Sequence, residues 1–280
     1  MPAIHLTQAR APLTERVRAI DEHGQPQDIS IPAERALTVF VDKHELVTLM
    51  TLGAHPEWLV LGYLRNQRLL ASPHDVASIT VDWDVGVAAV RTRQGIDDLP
   101  QRTAKRVVTT GCGQGSVFGD LMADLDDIRL GDAVLAQAEL LGLLNAIRLQ
   151  ESTYKSAGSV HGCALFQGER MLLFVEDVGR HNAIDTIAGW MWLEHSGAPG
   201  GLRGDDKVFY TTGRLTSEMV IKAAQMGVPI VVSRSGITQM GLQVARQLGL
   251  CAVGRAVNRR FLCFSAPERL GLSGAADAGG

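Results

Sequence analysis

Apolar and polar positions alternate over Ala36–Val41 and again over Leu46–Leu52, with Asp42-Lys43-His44 between them suited to a hairpin turn. His55-Pro56-Glu57 then opens a predicted helix that runs through about Arg65, with proline and an acid in its first turn. Ala77–Val81 and Val87–Thr92 predict a second hairpin around Asp82-Trp83-Asp84-Val85-Gly86. These elements make a small N-terminal α+β domain over residues 31–105. Residues 1–30, polar and carrying Pro, Gly, Gln and Asp, are expected to form a flexible arm.

The pattern changes after Arg106–Thr110, a short predicted strand that runs into Gly111-Cys112-Gly113-Gln114-Gly115-Ser116. Leu135, Leu140, Leu141, Leu143, Leu144 and Leu149 recur at roughly helical spacing and predict one long amphipathic helix from Ala133 to about Thr153. From there strands and helices alternate. Strands are predicted at Ala164–Phe166, Met171–Val175, Lys207–Thr211, Pro229–Ser233, Leu250–Gly254 and Phe261–Phe264. Helices are predicted at Asn182–Glu194, Thr216–Met226 and Thr238–Leu248, the last two stopped by Gly227 and Gly249. This alternation predicts a layered α/β domain over residues 106–265 with a largely parallel sheet, whose ligands would gather at the loops after the strand C-termini. The tail over 266–280 is expected to be disordered.

Composition narrows the class. The chain has 280 residues, enough for one large domain or two modest ones, with 46% hydrophobic and 20% charged residues, as in an ordinary globular protein. A formal net charge of −3 supplies no global basic field, so neither nucleic acid nor membrane is an expected partner. No run of 18 apolar residues is present, and the first twenty residues lack the pattern of a signal peptide, so a cytoplasmic location is expected. The four cysteines form no CxxC pair; Cys163, Cys251 and Cys263 sit in apolar, strand-like surroundings and are expected to be small buried hydrophobes.

Cys112 is different. Glycines on both sides expose backbone N–H groups and allow close approach of another molecule, and such an environment favours the reactive thiolate. A glycine-rich turn that happens to hold a cysteine is the plainer alternative. The G-x-G-x-G string around it lacks the spacing of a dinucleotide fingerprint. In Ala157-Gly158-Ser159-Val160-His161-Gly162-Cys163, His161 could either serve a neighbouring site or simply hydrogen-bond its loop. The chain lacks the P-C-x-x-C of zinc deaminases and paired structural-zinc ligands, so no metal bound directly by the chain is expected. Glu176-Asp177-Val178-Gly179-Arg180-His181-Asn182-Ala183-Ile184-Asp185 is dense in polar groups at a strand end. Helix capping accounts for some of them, whereas Arg180 and His181 together suit anion recognition or orientation of a partner group. Arg214, in Thr211-Thr212-Gly213-Arg214, and Ser233-Arg234 each stand between a strand end and a helix start, an arrangement that binds anions. Arg255-Ala256-Val257-Asn258-Arg259-Arg260 is either a solvated hairpin tip or a phosphate-binding stretch.

Taken together, EDVGRHNAID, TTGRLTSEMVIKAA and GVPIVVSRSGITQMGLQVARQLG resemble the FdhD family of formate dehydrogenase accessory sulfurtransferases, over about residues 30–265. The resemblance implies a cytidine-deaminase-like α/β domain behind a small N-terminal domain, working as a homodimer. It implies a sulfurtransferase that passes persulfide sulfur from a cysteine desulfurase to a molybdenum (or tungsten) bis-pterin guanine dinucleotide cofactor, needed by formate dehydrogenase. Cys112 matches the persulfide-bearing position, with His161 as an assisting residue. Arg255, Ala256, Val257, Asn258, Arg259 and Arg260 match the nucleotide-binding segment, with contributions from Arg180, His181, Arg214, Ser233 and Arg234. Three departures stand out. The loop lacks the CxxC of many family members, reading Cys112-Gly113-Gln114-Gly115. The family's TGGxH reads AGSVH, and its FxRGGR-like stretch reads RAVNRR.

Overall fold

The computed structural model describes residues 4–96, 99, 125–196 and 202–272. The predicted strand Arg106–Thr110 and the Cys112 loop lie outside these residues. The chain forms two compact units that interleave in sequence. One takes residues 1–118, 151–162 and 175–201; the other takes 119–150, 163–174 and 202–280. This differs from the expected division into consecutive domains over 31–105 and 106–265: segments 151–162 and 175–201, from the second half of the chain, pack with the N-terminal strands.

The first unit holds a five-stranded sheet in the order β1 (His5–Leu6), β6 (Val76–Asp82), β7 (Val87–Thr92), β4 (Arg35–Val41), β5 (His44–Thr51). The β4–β5 and β6–β7 hairpins are antiparallel, as their alternating patterns predict, and β4 runs parallel to β7. The inward positions Leu37, Val39, Val41, Leu49, Ile79 and Val90 pack with Leu59, Val60 and Tyr63 of α1 (Pro56–Asn66). Residues expected to be a flexible arm instead form β2 (Thr14–Ile20) and β3 (Pro26–Pro32), paired antiparallel over seven residues each. The turn explains it. Asp21 Oδ1 accepts hydrogen bonds from the backbone N–H of His23 (2.9 Å) and Gln25 (2.8 Å), and Gly24 adopts φ +76°. These hydrogen bonds hold the Asp21 carboxyl below its ordinary value, with Gln25 contributing most.

The second unit holds the six-stranded sheet, in the order β10 (Arg170–Asp177), β9 (His161–Gln167), β11 (Val208–Thr211), β12 (Ile230–Ser233), β13 (Cys251–Val257), β14 (Arg260–Ser265). By residue, the start of β9 and the end of β10 are counted with the first unit. Only β11–β12 and β12–β13 are parallel; β9 and β14 pair antiparallel to β11 and β13. The sheet is therefore mixed rather than largely parallel: crossover helices join only the three middle strands. Phe209, Val231 and Ala252 are as buried as Tyr210, Val232 and Val253, so both faces of these strands are covered.

The long helix expected over 133–153 is divided. Leu135–Ala136 (β8) pairs with Leu270–Gly271 (β15), and α2 covers only Gln137–Leu149. A new short helix, α3 (Thr153–Ala157), restarts in the first unit behind Ser152, whose hydroxyl accepts from Lys155 N. Gln150, with ψ 124°, is the break. The β15 pairing also orders Leu270, which is 5% exposed, inside the tail expected to be disordered. Among the described residues the further α-helices are α4 (Arg180–Ser196), α5 (Ser217–Gln225) and α6 (Gln239–Gln247). Among the described residues, no helix is long and apolar enough to cross a membrane.

Candidate functional site

The parallel strands β11, β12 and β13 deliver three loops to one edge of the second unit, with the N-termini of α5 and α6 rising from the first two. Backbone hydrogen bonds stitch these loops together. Arg234 N donates to Thr211 O (3.0 Å), Leu215 N to Gly236 O (2.9 Å), and Arg255 N to Ser235 O. Ser233, fully buried, donates its hydroxyl to Gly213 O (2.7 Å) and accepts from Ser235 N (3.0 Å). It therefore braces the loops, and its side chain does not open to solvent. Gly254 lets the strands close up, since a Cβ there would lie 3.2 Å from Ser235 O and 2.9 Å from the Phe264 ring.

Arg214, Arg234 and Arg255 stand on this stitched edge, all exposed. Arg255 reaches it through a register shift between Gly254 and Val257, where its φ of +52° turns its N–H away from the β14 ladder toward Ser235. Thr238 caps α6 by accepting from Gly241 N (3.2 Å). Thr216 occupies the equivalent position before α5, but its side chain makes no capping bond. The α5 start thus lacks a Thr216 side-chain cap, and Glu218 stands in its first turn, paired with Lys222. Below the edge, burial pushes the Tyr210 hydroxyl up to about 12, opposed by the Arg234 charge.

The stretch Arg255–Arg260 is mostly strand: Arg255–Val257 end β13, Arg260 begins β14, and Asn258-Arg259 make the turn. Arg255, Asn258, Arg259 and Arg260 are exposed, whereas Ala256 is 2% exposed and packs inward. Asn258 and Arg259 line a cleft of about 330 Å³ with Leu141, Leu144, Asn145 and Arg148 of α2. From sequence, Leu141 and Leu144 were read only as part of the helical periodicity, and none of the four α2 residues as a site residue. Their only signal was a polar pair, Asn145 and Arg148, one turn apart on an amphipathic helix.

The other predicted site residues belong to the first unit. His161 is half-buried at the start of β9. Arg180 and His181 are 5% and 3% exposed, and both engage neighbours. Around them EDVGRHNAID forms a buried knot. Asp177 accepts from Thr51 Oγ1 (2.5 Å), Asn182 Nδ2 (3.0 Å), Leu52 N (3.4 Å) and Gly179 N (3.5 Å). Asn182 Nδ2 also donates to Met50 O (2.6 Å), and Asn66 Nδ2 donates to Asp185 (2.7 Å). Burial pushes the Asp177 carboxyl up to about 6, against the opposing pull of these hydrogen bonds. Glu176 accepts from Thr153 N and Tyr154 N and so holds the start of α3. Sequence reasoning missed Thr51 and Met50 as partners, because they lie more than 120 residues away.

Comparison with known proteins gives a consistent result. The chain is 31% identical over 243 residues to a sulfur carrier protein FdhD of Bacillus subtilis, covering 85% of this chain and 88% of that one. It is 28% identical over 253 residues to a sulfur carrier protein FdhD of Halalkalibacterium halodurans, with 89% and 92% covered. A crystal structure described as a formate dehydrogenase accessory protein, from Desulfotalea psychrophila, superposes with a TM-score of 0.72 at 26% identity, over 92% of this chain and all of that one. The pattern of the FdhD/NarQ family matches residues 32–271, and the chain belongs to that family.

Proposed function

We propose that the protein accepts persulfide sulfur from a cysteine desulfurase on Cys112 and passes it to a molybdenum (or tungsten) bis-pterin guanine dinucleotide, the substrate, on its way to formate dehydrogenase. The observation that carries this reading is the stitched edge of the second unit. Three exposed arginines and a helix N-terminus without a side-chain cap, fixed by backbone hydrogen bonds, suit the several phosphate charges of a dinucleotide. Relatives named sulfur carriers support the sulfur-handling half.

In the loading step the Cys112 thiolate attacks the outer sulfur of the donor persulfide. A new S–S bond forms at Cys112, the donor S–S bond breaks, and the donor leaves as its thiolate, so no oxidant is needed. Arg214, Arg234, Arg255, Arg259 and Arg260 hold phosphates, and Ser233 keeps the loops in register without touching them. His161 supplies a proton near the sulfur; its replacement by alanine should slow transfer and leave nucleotide binding unchanged. Homodimerisation and a cytoplasmic setting complete the proposal.

The test is the intact mass after incubation with a cysteine desulfurase and cysteine, beside Cys112→Ala. A reducible gain of one sulfur, about 32 Da, in the wild type alone is expected. No gain, with guanosine diphosphate still bound, would leave a cofactor-carrying chaperone that moves no sulfur.

A further inference from the structure

Two thiols meet on β13 and β14. The Sγ atoms of Cys251 and Cys263 lie 3.9 Å apart. Ala252 faces Ser265 and Val253 faces Cys263, so Phe264 is an extra residue that bulges the edge strand. Cys251, two residues from Val253, shares the face on which Cys263 lies. The two sites differ in access. Cys251 is fully buried, whereas Cys263 is half-buried on a strand with a free edge in the described sheet. Their proton affinities differ in the same sense: the hydrogen bond from Cys251 draws the Cys263 thiol down to about 7, and that bond together with burial pushes Cys251 up. As a thiol, Cys263 has Ser265 O as an acceptor at 3.3 Å; as a thiolate, it has Cys251 as a donor. Cys163, by contrast, is fully buried against Thr211 Oγ1, at 3.3 Å.

We propose that Cys251 and Cys263 form a redox-active dithiol, in which the outer Cys263 attacks a low-molecular-weight disulfide and the inner Cys251 resolves the product into a Cys251–Cys263 bond. In the first step the Cys263 thiolate bonds to one sulfur of the external disulfide, whose S–S bond breaks to release one thiolate. In the second, Cys251 gives up its proton and attacks Cys263 Sγ, expelling the other external thiolate, which takes up a proton. The protein dithiol loses two electrons and the external disulfide gains them. The geometry suits this order. The leaving group departs on the solvent side and the attack comes from the buried side. Closing the gap from 3.9 Å to a bond of about 2 Å needs side-chain rotation and slight yielding of the bulged strand. The bond would pin β14 to β13 just before the strands reach the Arg255–Arg260 stretch.

The test uses the full chain, reduced, then equilibrated in oxidised and reduced glutathione, acid-quenched and mapped by mass spectrometry without reduction. The expected result is a Cys251–Cys263 linked peptide that grows with the share of oxidised glutathione and disappears with dithiothreitol. Cys251→Ser should stop at a glutathione adduct on Cys263, and Cys263→Ser should form neither. A stable glutathione adduct on wild-type Cys263 without the internal bond, an unmodified Cys263, or a bond from Cys251 to another cysteine would overturn the proposal. The wild-type map decides even where a variant fails to fold.

Discussion

The knot at the start of α4 and the edge at the start of α5 share one grammar: a strand ends, a small residue turns the chain, and a helix begins among polar and charged groups. Their burial is opposite. Asp177, Arg180, His181, Asn182 and Asp185 are all 5% exposed or less, while Arg214, Arg234 and Arg255 stand in solvent. The knot spends its polar groups on other parts of its own unit, tying α4 to β5 through Thr51 and Met50. The edge satisfies its backbone internally and leaves its guanidinium groups exposed. A dense polar motif at a strand end thus signals either an anchor or a binding surface, and burial decides which.

The sharpest way to break this comparison is at the α1–α4 crossing beside the knot. A Cβ on Gly62 would lie 1.7 Å from Asp185 O, and one on Gly189 would lie 2.0 Å from Trp58 O. Both obstacles are backbone, which cannot swing aside. Gly62→Ala should therefore lose more than about 3 kcal/mol of stability, read by urea unfolding. An unchanged midpoint would mean that the helices do not cross this closely.

A second test exploits Asp177. Its folded pKa, about 6, lies above the ordinary value of 3.8. Its stabilising share is therefore complete below about pH 4 and lost as pH rises through about 6. Unfolding free energy should fall by ~2–3 kcal/mol across that window, and Asp177→Asn should flatten the slope. Parallel pH profiles for the two proteins would show that Asp177 is not the buried titrating group.

At the edge the effects should be on binding. Arg214→Ala, Arg234→Ala and Arg255→Ala should each weaken guanosine diphosphate binding roughly fivefold, about 1 kcal/mol, with melting unchanged. Wild-type affinity in all three would remove the edge from the binding site. Smallest of all, Gly236→Ala should shift stability by less than about 0.5 kcal/mol, since a Cβ there meets nothing within 4 Å. A large loss would show the edge to be packed like the knot.

Much of the α/β unit was legible in the chain. Gly227 and Gly249 end α5 and α6 with φ of +78° and +61°, as glycines after periodic runs predict. The β2–β3 hairpin was not legible, because Thr14–Ile20 and Pro26–Pro32 bury no residue fully and their pairing rests on backbone bonds and the Asp21 turn. The break in the long helix was hidden because Gln150-Glu151 are tolerable helix residues; Ser152 and Glu176 supply better caps for a fresh start.

The sequence by itself determined the elements whose signals are local: the alternating strands, the glycine-stopped helices, and the arginines placed after strand ends. The motifs that identify the family are likewise contiguous. Tertiary structure alone decided that segments 151–162 and 175–201 join the first unit, and that Arg180 and His181 are buried while Arg234 is not. It also brought Cys251 within 3.9 Å of Cys263. The physical reason is shared by all three. Burial and side-chain pairing depend on which distant segments pack together, and that choice is made by the summed burial of whole faces rather than by any local pattern.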